Sequence, residues 1–251
     1  MKVKKSLGQH FLRNASILQK IVDALEVDEN DIVVEVGPGH GELTKIIAAK
    51  KPKKLIVIEK DEGLAALLCN TFTNIQIISG DALENLPKLD LPKNWKLIGN
   101  IPYYITGRLQ RIISELPSPP TQTVLLIQKE VAERISALPP KANLLSSVTN
   151  GWATPKYLFT VSRRNFRPVP KVDSAVILLL RNNIIANNKY FITARALFKQ
   201  PRKKAINNFA DFFKISKPQA EKLFVSCNLS LDARPQNLSS TDILCLSSKL
   251  E

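Results

Sequence analysis

Ile32-Val33-Val34-Glu35-Val36-Gly37-Pro38-Gly39-His40-Gly41 sets a short β-branched run directly against three glycines spaced G-x-G-x-G, and a helix-like segment, Glu42–Lys50, follows. A strand that empties through glycines into a helix lets the backbone approach a ligand closely and turns the helix N-terminus toward it. The spacing is tighter than the G-x-G-x-x-G of many dinucleotide sites, which suits a ligand with no pyrophosphate to cradle. A tight turn without a ligand uses the same residues, so the flanking sequence has to decide. Further apolar runs follow at Leu55–Glu59, Ile75–Ser79, Lys96–Gly99 and Thr123–Gln128. Intervals of about twenty residues or more leave room for a crossover helix each time, and continuous apolar strands suit a parallel sheet covered on both faces. Two later runs, Tyr157–Val161 and Ser174–Leu180, flank the proline-rich Phe166-Arg167-Pro168-Val169-Pro170, and an antiparallel pair at one sheet edge is expected of them.

After Arg181-Asn182-Asn183 the pattern turns helical, with segments at Lys189–Phe198, Lys203–Phe213, Lys217–Ser226 and Thr241–Lys249. Ser239 with Asp242 three residues on is a capping-box pattern for the last of them. Two domains are therefore expected: residues 1–182, an α/β domain with a basic N-terminal arm, and residues 183–251, a small helical domain with a basic surface.

The strand ends carry chemistry. Glu59 closes the second run, where an acid can accept both hydroxyls of a ribose. Asp81 follows the third; it can accept a hydrogen bond from an adenine amine, and with Glu84 it also reads as a helix cap. The fourth run leads into Asn100-Ile101-Pro102-Tyr103. An adenine amine is a poor nucleophile because its lone pair is delocalised into the ring. Acceptors that hold its two protons, here the Asn100 side-chain oxygen and the Ile101 carbonyl, draw the nitrogen toward tetrahedral geometry and free the lone pair for in-line displacement. Pro102 fixes the backbone, and Tyr103 offers a π-face to the base. Phe166 is a second stacking candidate, in a basic setting of Arg163, Arg164, Arg167 and Lys171 suited to flanking phosphates.

Lysine and arginine number 36 against 22 aspartate and glutamate, a net charge of +14. That balance favours a polyanionic partner, most commonly nucleic acid, and there is no basic amphipathic helix with aromatic anchors to suggest a membrane surface. No apolar run approaches the ~18 residues needed to span a bilayer, and Met1–Leu12 lacks the apolar stretch of a secretory leader. A soluble, cytoplasmic protein is expected. The scattered Cys69, Cys227 and Cys245 read as free thiols, and with only His10 and His40 as histidines no metal site is expected.

The chain resembles the KsgA-type 16S ribosomal RNA adenine dimethyltransferases along nearly its whole length. The matching pieces, in order, are Lys5–Leu12, Glu35–Gly41, Val57–Asp61, Gly80–Ala82, Asn100–Ile105, Gln128–Arg134, Phe166–Val176 and Leu231–Leu238. The resemblance implies a Rossmann-like class I S-adenosylmethionine-dependent methyltransferase: a seven-stranded, mostly parallel sheet with one antiparallel strand, and a helical C-terminal RNA- or ribosome-binding domain. It implies two methylations, with S-adenosylhomocysteine as by-product and without a metal, on each of two adjacent adenosines near the 3′ end of 16S rRNA in a maturing small subunit. Carried over by motif, the cofactor touches His10, Leu12, Gly37, Gly39, Glu59, Asp81 and Asn100. Arg202, Lys203 and Lys204 are expected to touch RNA, and a monomer is expected. Two positions depart from the pattern: His10 stands where many relatives have asparagine, and Pro201 where a basic residue is frequent. The alternatives are a 23S rRNA adenine methyltransferase of the macrolide-resistance type, a non-catalytic ribosome assembly factor, and a DNA adenine methyltransferase. The Leu7-Gly8-Gln9 arm and Gln128–Arg134 favour the 16S type. The intact Gly37–Gly41 loop and Asn100–Tyr103 disfavour an assembly factor, and Asn100, where DNA enzymes more often carry aspartate, disfavours the last.

Overall fold

A computed structural model of the chain describes residues 10–182 and 187–250, apart from the side chain of Tyr103. Within the described residues two compact units are formed, one by 10–132 with 155–181 and the other by 133–154 with 182 and 187–250. The first begins with a two-residue strand, β1 (Phe11–Leu12), and helix α1 (Ala15–Asp23), whose Ile17 amide is capped by the Asn14 side chain. The strands that follow are β2 (Ile32–Val36), β3 (Lys54–Glu59), β4 (Gln76–Ser79), β5 (Lys96–Asn100), β6 (Gln122–Gln128), β7 (Ala153–Val161), β8 (Phe166–Arg167) and β9 (Ser174–Arg181). Between them in the chain come α2 (Glu42–Ala49), α3 (Glu62–Thr71), α4 (Ala82–Asn85), α5 (Thr106–Glu115) and α6 (Lys129–Ile135).

Seven strands make one sheet in the order β4-β3-β2-β5-β6-β9-β7, and β1 and β8 form a separate antiparallel ribbon. Strands β2 to β6 pair in parallel, whereas β9 runs antiparallel to β6, with Leu125 opposite Ile177. The five parallel strands lie within a residue of their expected places. The two later runs are neighbours at one edge of the sheet, as expected; β9 also pairs antiparallel with β6, and β7, the edge strand, starts at Ala153 rather than Tyr157. Pro155 hides the start of β7, and an edge is where a strand tolerates a residue with no N–H to give. Val33, Val57, Ile98 and Val124 are fully buried, with Leu18, Ile21 and Val22 of α1 in the same core. This burial fits strands covered on both faces.

The second unit contains α7 (Leu144–Asn150), α8 (Asn188–Leu197), α9 (Ala205–Phe213), α10 (Lys217–Ser226) and α11 (Ser240–Ser248). Its core is built on Tyr190, Phe209, Phe224, Ile243 and Leu246. The Ser239–Asp242 capping box forms at the start of α11. Glu133–Thr154, read from sequence with the sheet domain, packs here instead. Ala142 enters this core, and the Ser147 carbonyl accepts the buried Tyr190 hydroxyl at 2.8 Å. The expectation of three free cysteines is also corrected. Cys227 and Cys245 form a disulfide between the end of α10 and the middle of α11, a pairing that depends on helix packing and leaves no mark in their spacing of 18; Cys69 is free and exposed. Among the described residues, no helix is long and apolar enough to cross a membrane.

Candidate active site

The first unit has a cavity at the C-terminal ends of β2 to β5, where open α/β sheets bind ligands. Gly37 and Gly39 line it with φ of +70° and +63°, in the left-handed region that glycine enters without strain. A Cβ at Gly37 would come within 3.2 Å of the Asn100 carbonyl oxygen, and one at Gly39 within 2.7 Å of the Phe11 ring. Helix α2 opens at Gly41 with no side-chain cap. Its first amides are therefore not claimed by a neighbouring side chain. Beneath the loop, fully buried Glu35 accepts the Thr44 hydroxyl at 2.7 Å on Oε2. Burial pushes its carboxyl up to about 8; the Thr44 bond opposes that, and the nearby Glu42 and Glu59 charges add to it.

Glu59, at the end of β3, is only 5% exposed yet lines the cavity. Its Oε2 accepts the Gly39 amide at 3.1 Å and its Oε1 the Asp61 amide at 2.8 Å, so the acid ties the glycine loop to the strand end. Burial raises its carboxyl above the usual range, against the pull of those two amides. Asp81 forms the expected helix cap and also faces the cavity. It caps α4 by accepting the Leu83 amide at 2.9 Å, and it lines the cavity. Partial burial pushes its carboxyl up, but the Lys60 ammonium at 2.8 Å and the Leu83 amide outweigh this and hold it below the ordinary aspartate value.

Asn100, Ile101 and Pro102 line the same cavity from the end of β5. The Asn100 side chain donates through Nδ2 to the His10 carbonyl at 3.0 Å. Tyr103 opens a short 3-10 turn directly after them; its side chain lies outside the described residues, as does the Lys5–Gln9 part of the arm. His10 and Leu12 are brought to the cavity by the β1–β8 ribbon, which pairs Phe11 with Arg167 and Leu12 with Phe166. All the positions expected to touch cofactor thus converge.

Phe166 does not join them. It is 4% exposed and packed in the core with Leu12 and Leu18, because its place in β8 opposite Leu12 turns it inward. Around it, Arg163, Arg164, Arg167 and Lys171 are exposed, with Arg163 also bound to the Lys171 carbonyl at 3.0 Å. In the second unit Arg202, Lys203 and Lys204 are exposed, but Lys203 lies 3.9 Å from Asp211 and Lys204 is paired with Asp232. Sequence reasoning assigned no role to Phe11, whose ring fills the space above Gly39, nor to Lys60 and Tyr104 at the cavity wall. Only the placement of an aromatic beside each motif hinted at Phe11 and Tyr104. Among the described residues, no group of three or more His, Cys, Asp or Glu is placed to hold a metal ion.

A parallel sheet whose last inserted strand runs backwards beside β6, with a glycine-walled cavity at its C-terminal edge, is the architecture of the class I S-adenosylmethionine-dependent methyltransferases. Residues 1–246 match the family model described as ribosomal RNA adenine dimethylase, and the chain belongs to that family. It is 35% identical over 260 residues to the ribosomal RNA small subunit methyltransferase A of Mycoplasma capricolum, covering 98% of this chain and 97% of that one. Among solved structures it resembles a dimethyladenosine transferase from Plasmodium falciparum, with 25% identity, a TM-score of 0.80, and 94% and 95% of the two chains covered. The 23S rRNA methyltransferase ErmE shares the fold at 24% identity and a TM-score of 0.74, over 95% and 98% of the chains.

Proposed function

We propose that this protein methylates N6 of two adjacent adenosines near the 3′ end of 16S rRNA to N6,N6-dimethyladenosine. Its substrate is the maturing small subunit, and it acts as a cytoplasmic monomer. The observation that carries the reading is the meeting, in one cavity, of Asn100, Ile101 and Pro102 with Gly37, Glu59 and Asp81. The site fits S-adenosylmethionine: a glycine cradle that a Cβ would fill, an uncapped helix start, and acids at two successive strand ends. Glu59 would hold the ribose hydroxyls, Asp81 the adenine amine, and Gly37, Gly39, His10 and Leu12 the remainder. When bound, the cofactor supplies an electrophilic methyl group on a sulfonium.

The chain's own contribution is orientation. The Asn100 oxygen and the Ile101 carbonyl hold the two amine protons of the target base, so that its lone pair is turned out of conjugation. Pro102 fixes the turn that presents both acceptors, and Tyr103 offers its ring to the base. Arg163, Arg164, Arg167 and Lys171 serve the flanking phosphates, and Arg202, Lys203 and Lys204 serve more distant RNA, the two lysines exchanging aspartate partners for phosphate.

The test supplies labelled S-adenosylmethionine with undermethylated small subunits, undermethylated large subunits, or duplex DNA. Labelled dimethyladenosine in small-subunit RNA alone is the expected result, and Asn100→Ala should abolish it while cofactor binding persists in weakened form. Label in the large subunit would replace the proposed substrate with 23S rRNA. Tight subunit binding without transfer would leave an assembly factor.

A further inference from the structure

An asparagine amide has two ends of opposite character, and only one serves the chemistry proposed above. With Oδ1 toward the target amine it accepts a proton; flipped by half a turn, it presents two N–H donors to a group that is itself a donor. Something must select the orientation. The Asn100 Nδ2 lies 3.0 Å from the His10 carbonyl oxygen. A carbonyl only accepts, so a flipped amide would set two acceptors against each other there.

The selector is therefore a backbone oxygen on the N-terminal arm, and the question becomes what holds it. Strand β1 is two residues long, too short to be held by its ladder alone. It is fastened to the 165–168 segment at both ends. Arg13 donates its amide to the Asn165 carbonyl at 3.1 Å, and the His10 ring nitrogen Nδ1 lies 2.8 Å from the Pro168 carbonyl. Because that oxygen can only accept, Nδ1 carries the proton. His10 thus holds Pro168 with its side chain and Asn100 with its backbone.

Resting on the function proposed above, we propose that His10 is a positioning residue for methyl transfer: its clasp on the Pro168 carbonyl fixes the oxygen that keeps the Asn100 amide facing the target amine. His10 also lines the cavity, so a role limited to cofactor contact is the competing account.

The two accounts separate in single-turnover transfer to undermethylated small subunits at saturating S-adenosylmethionine, alongside calorimetric cofactor affinity. His10→Ala is expected to slow transfer about tenfold even when the cofactor is saturating, the equivalent of about 1.4 kcal/mol for one lost hydrogen bond. His10→Asn keeps an N–H donor at the position and is expected to recover most of the rate. Full transfer by His10→Ala once saturated, with affinity alone reduced, would overturn the proposal. So would equal losses in both variants.

A second readout needs no turnover. In 15N-labelled protein, one side-chain amide proton of Asn100 is expected downfield and slow to exchange in wild type and His10→Asn, and ordinary in His10→Ala. If wild type transfers no methyl group, the functional proposal fails while this signal still decides the role of His10. An Asn100 amide indifferent to the His10→Ala change refutes it.

Discussion

Glu35→Gln is expected to flatten the pH dependence of stability. The wild-type carboxyl is fully buried beneath the glycine loop, with Oε2 held by Thr44 and Oε1 without a hydrogen-bond partner among the described residues. Burial, reinforced by the Glu42 and Glu59 charges, moves it from 4.5 to about 8. In the unfolded chain this group releases its proton near 4.5, while the folded protein keeps it until about 8. Across that window the folded state binds more protons, so stability falls as pH rises and levels off above about 8. At about 1.4 kcal/mol per pH unit, the span amounts to about 5 kcal/mol. Glutamine has the same shape, can still accept the Thr44 hydroxyl, and does not titrate. Glu59, whose carboxyl is also raised, is present in both proteins and cancels. Urea unfolding of the two proteins between pH 5 and 9 should therefore show curves that diverge in favour of the variant as pH rises. Parallel curves would mean that Glu35 ionises in the folded protein as it does in water, and would refute the reasoning.

Gly39→Ala should cost cofactor affinity more than stability: its Cβ would fall 2.7 Å from the Phe11 ring, on the arm that closes the cavity, and titration calorimetry against a melting curve would show the split. Phe166→Leu should retain transfer close to the wild-type rate, since a packed ring is replaced by a packed aliphatic chain, whereas Phe166→Ala should lose about 3–5 kcal/mol of stability. Loss of transfer by Phe166→Leu at unchanged melting temperature would return that ring to the substrate. Cys227→Ser opens a loop of 18 residues and is expected to destabilise by about 3 kcal/mol against wild type in urea unfolding, and reductant should weaken the wild type alone; a variant as stable as the oxidised wild type would show that the bond carries none of it.

What could be read in advance follows the range of the forces involved. The parallel strands and their glycine turn are local patterns of residue type, and β2 to β6 fell within a residue of expectation. The acids at the strand ends were found for the same reason: a strand end is visible locally, and the sheet brings neighbouring ends together. Strand β7 was cut short because Pro155 breaks a propensity pattern that an edge position tolerates. The inward turn of Phe166, the Cys227–Cys245 bond and the docking of Glu133–Thr154 with the tail each depend on a distant partner. Nothing in the spacing around those residues reports which partner it is. His10 and Leu12 reached the site through resemblance alone, since a basic arm has no pattern that announces where it will lie.

The ribbon that joins residues 11 and 12 to residues 166 and 167 also imposes an order in time on a chain made from its N-terminus. Strands β2 to β6, with the glycine loop and both strand-end acids, are synthesised well before β8 exists. Domains fold as their chain emerges, so the cofactor edge can assemble while the arm still has nothing to pair with. Through that interval the Pro168 carbonyl that the His10 ring contacts is not yet made. On the reading proposed above, His10 and Leu12 are the last of the cavity-lining positions to be fixed, once residues 166–168 have left the ribosome.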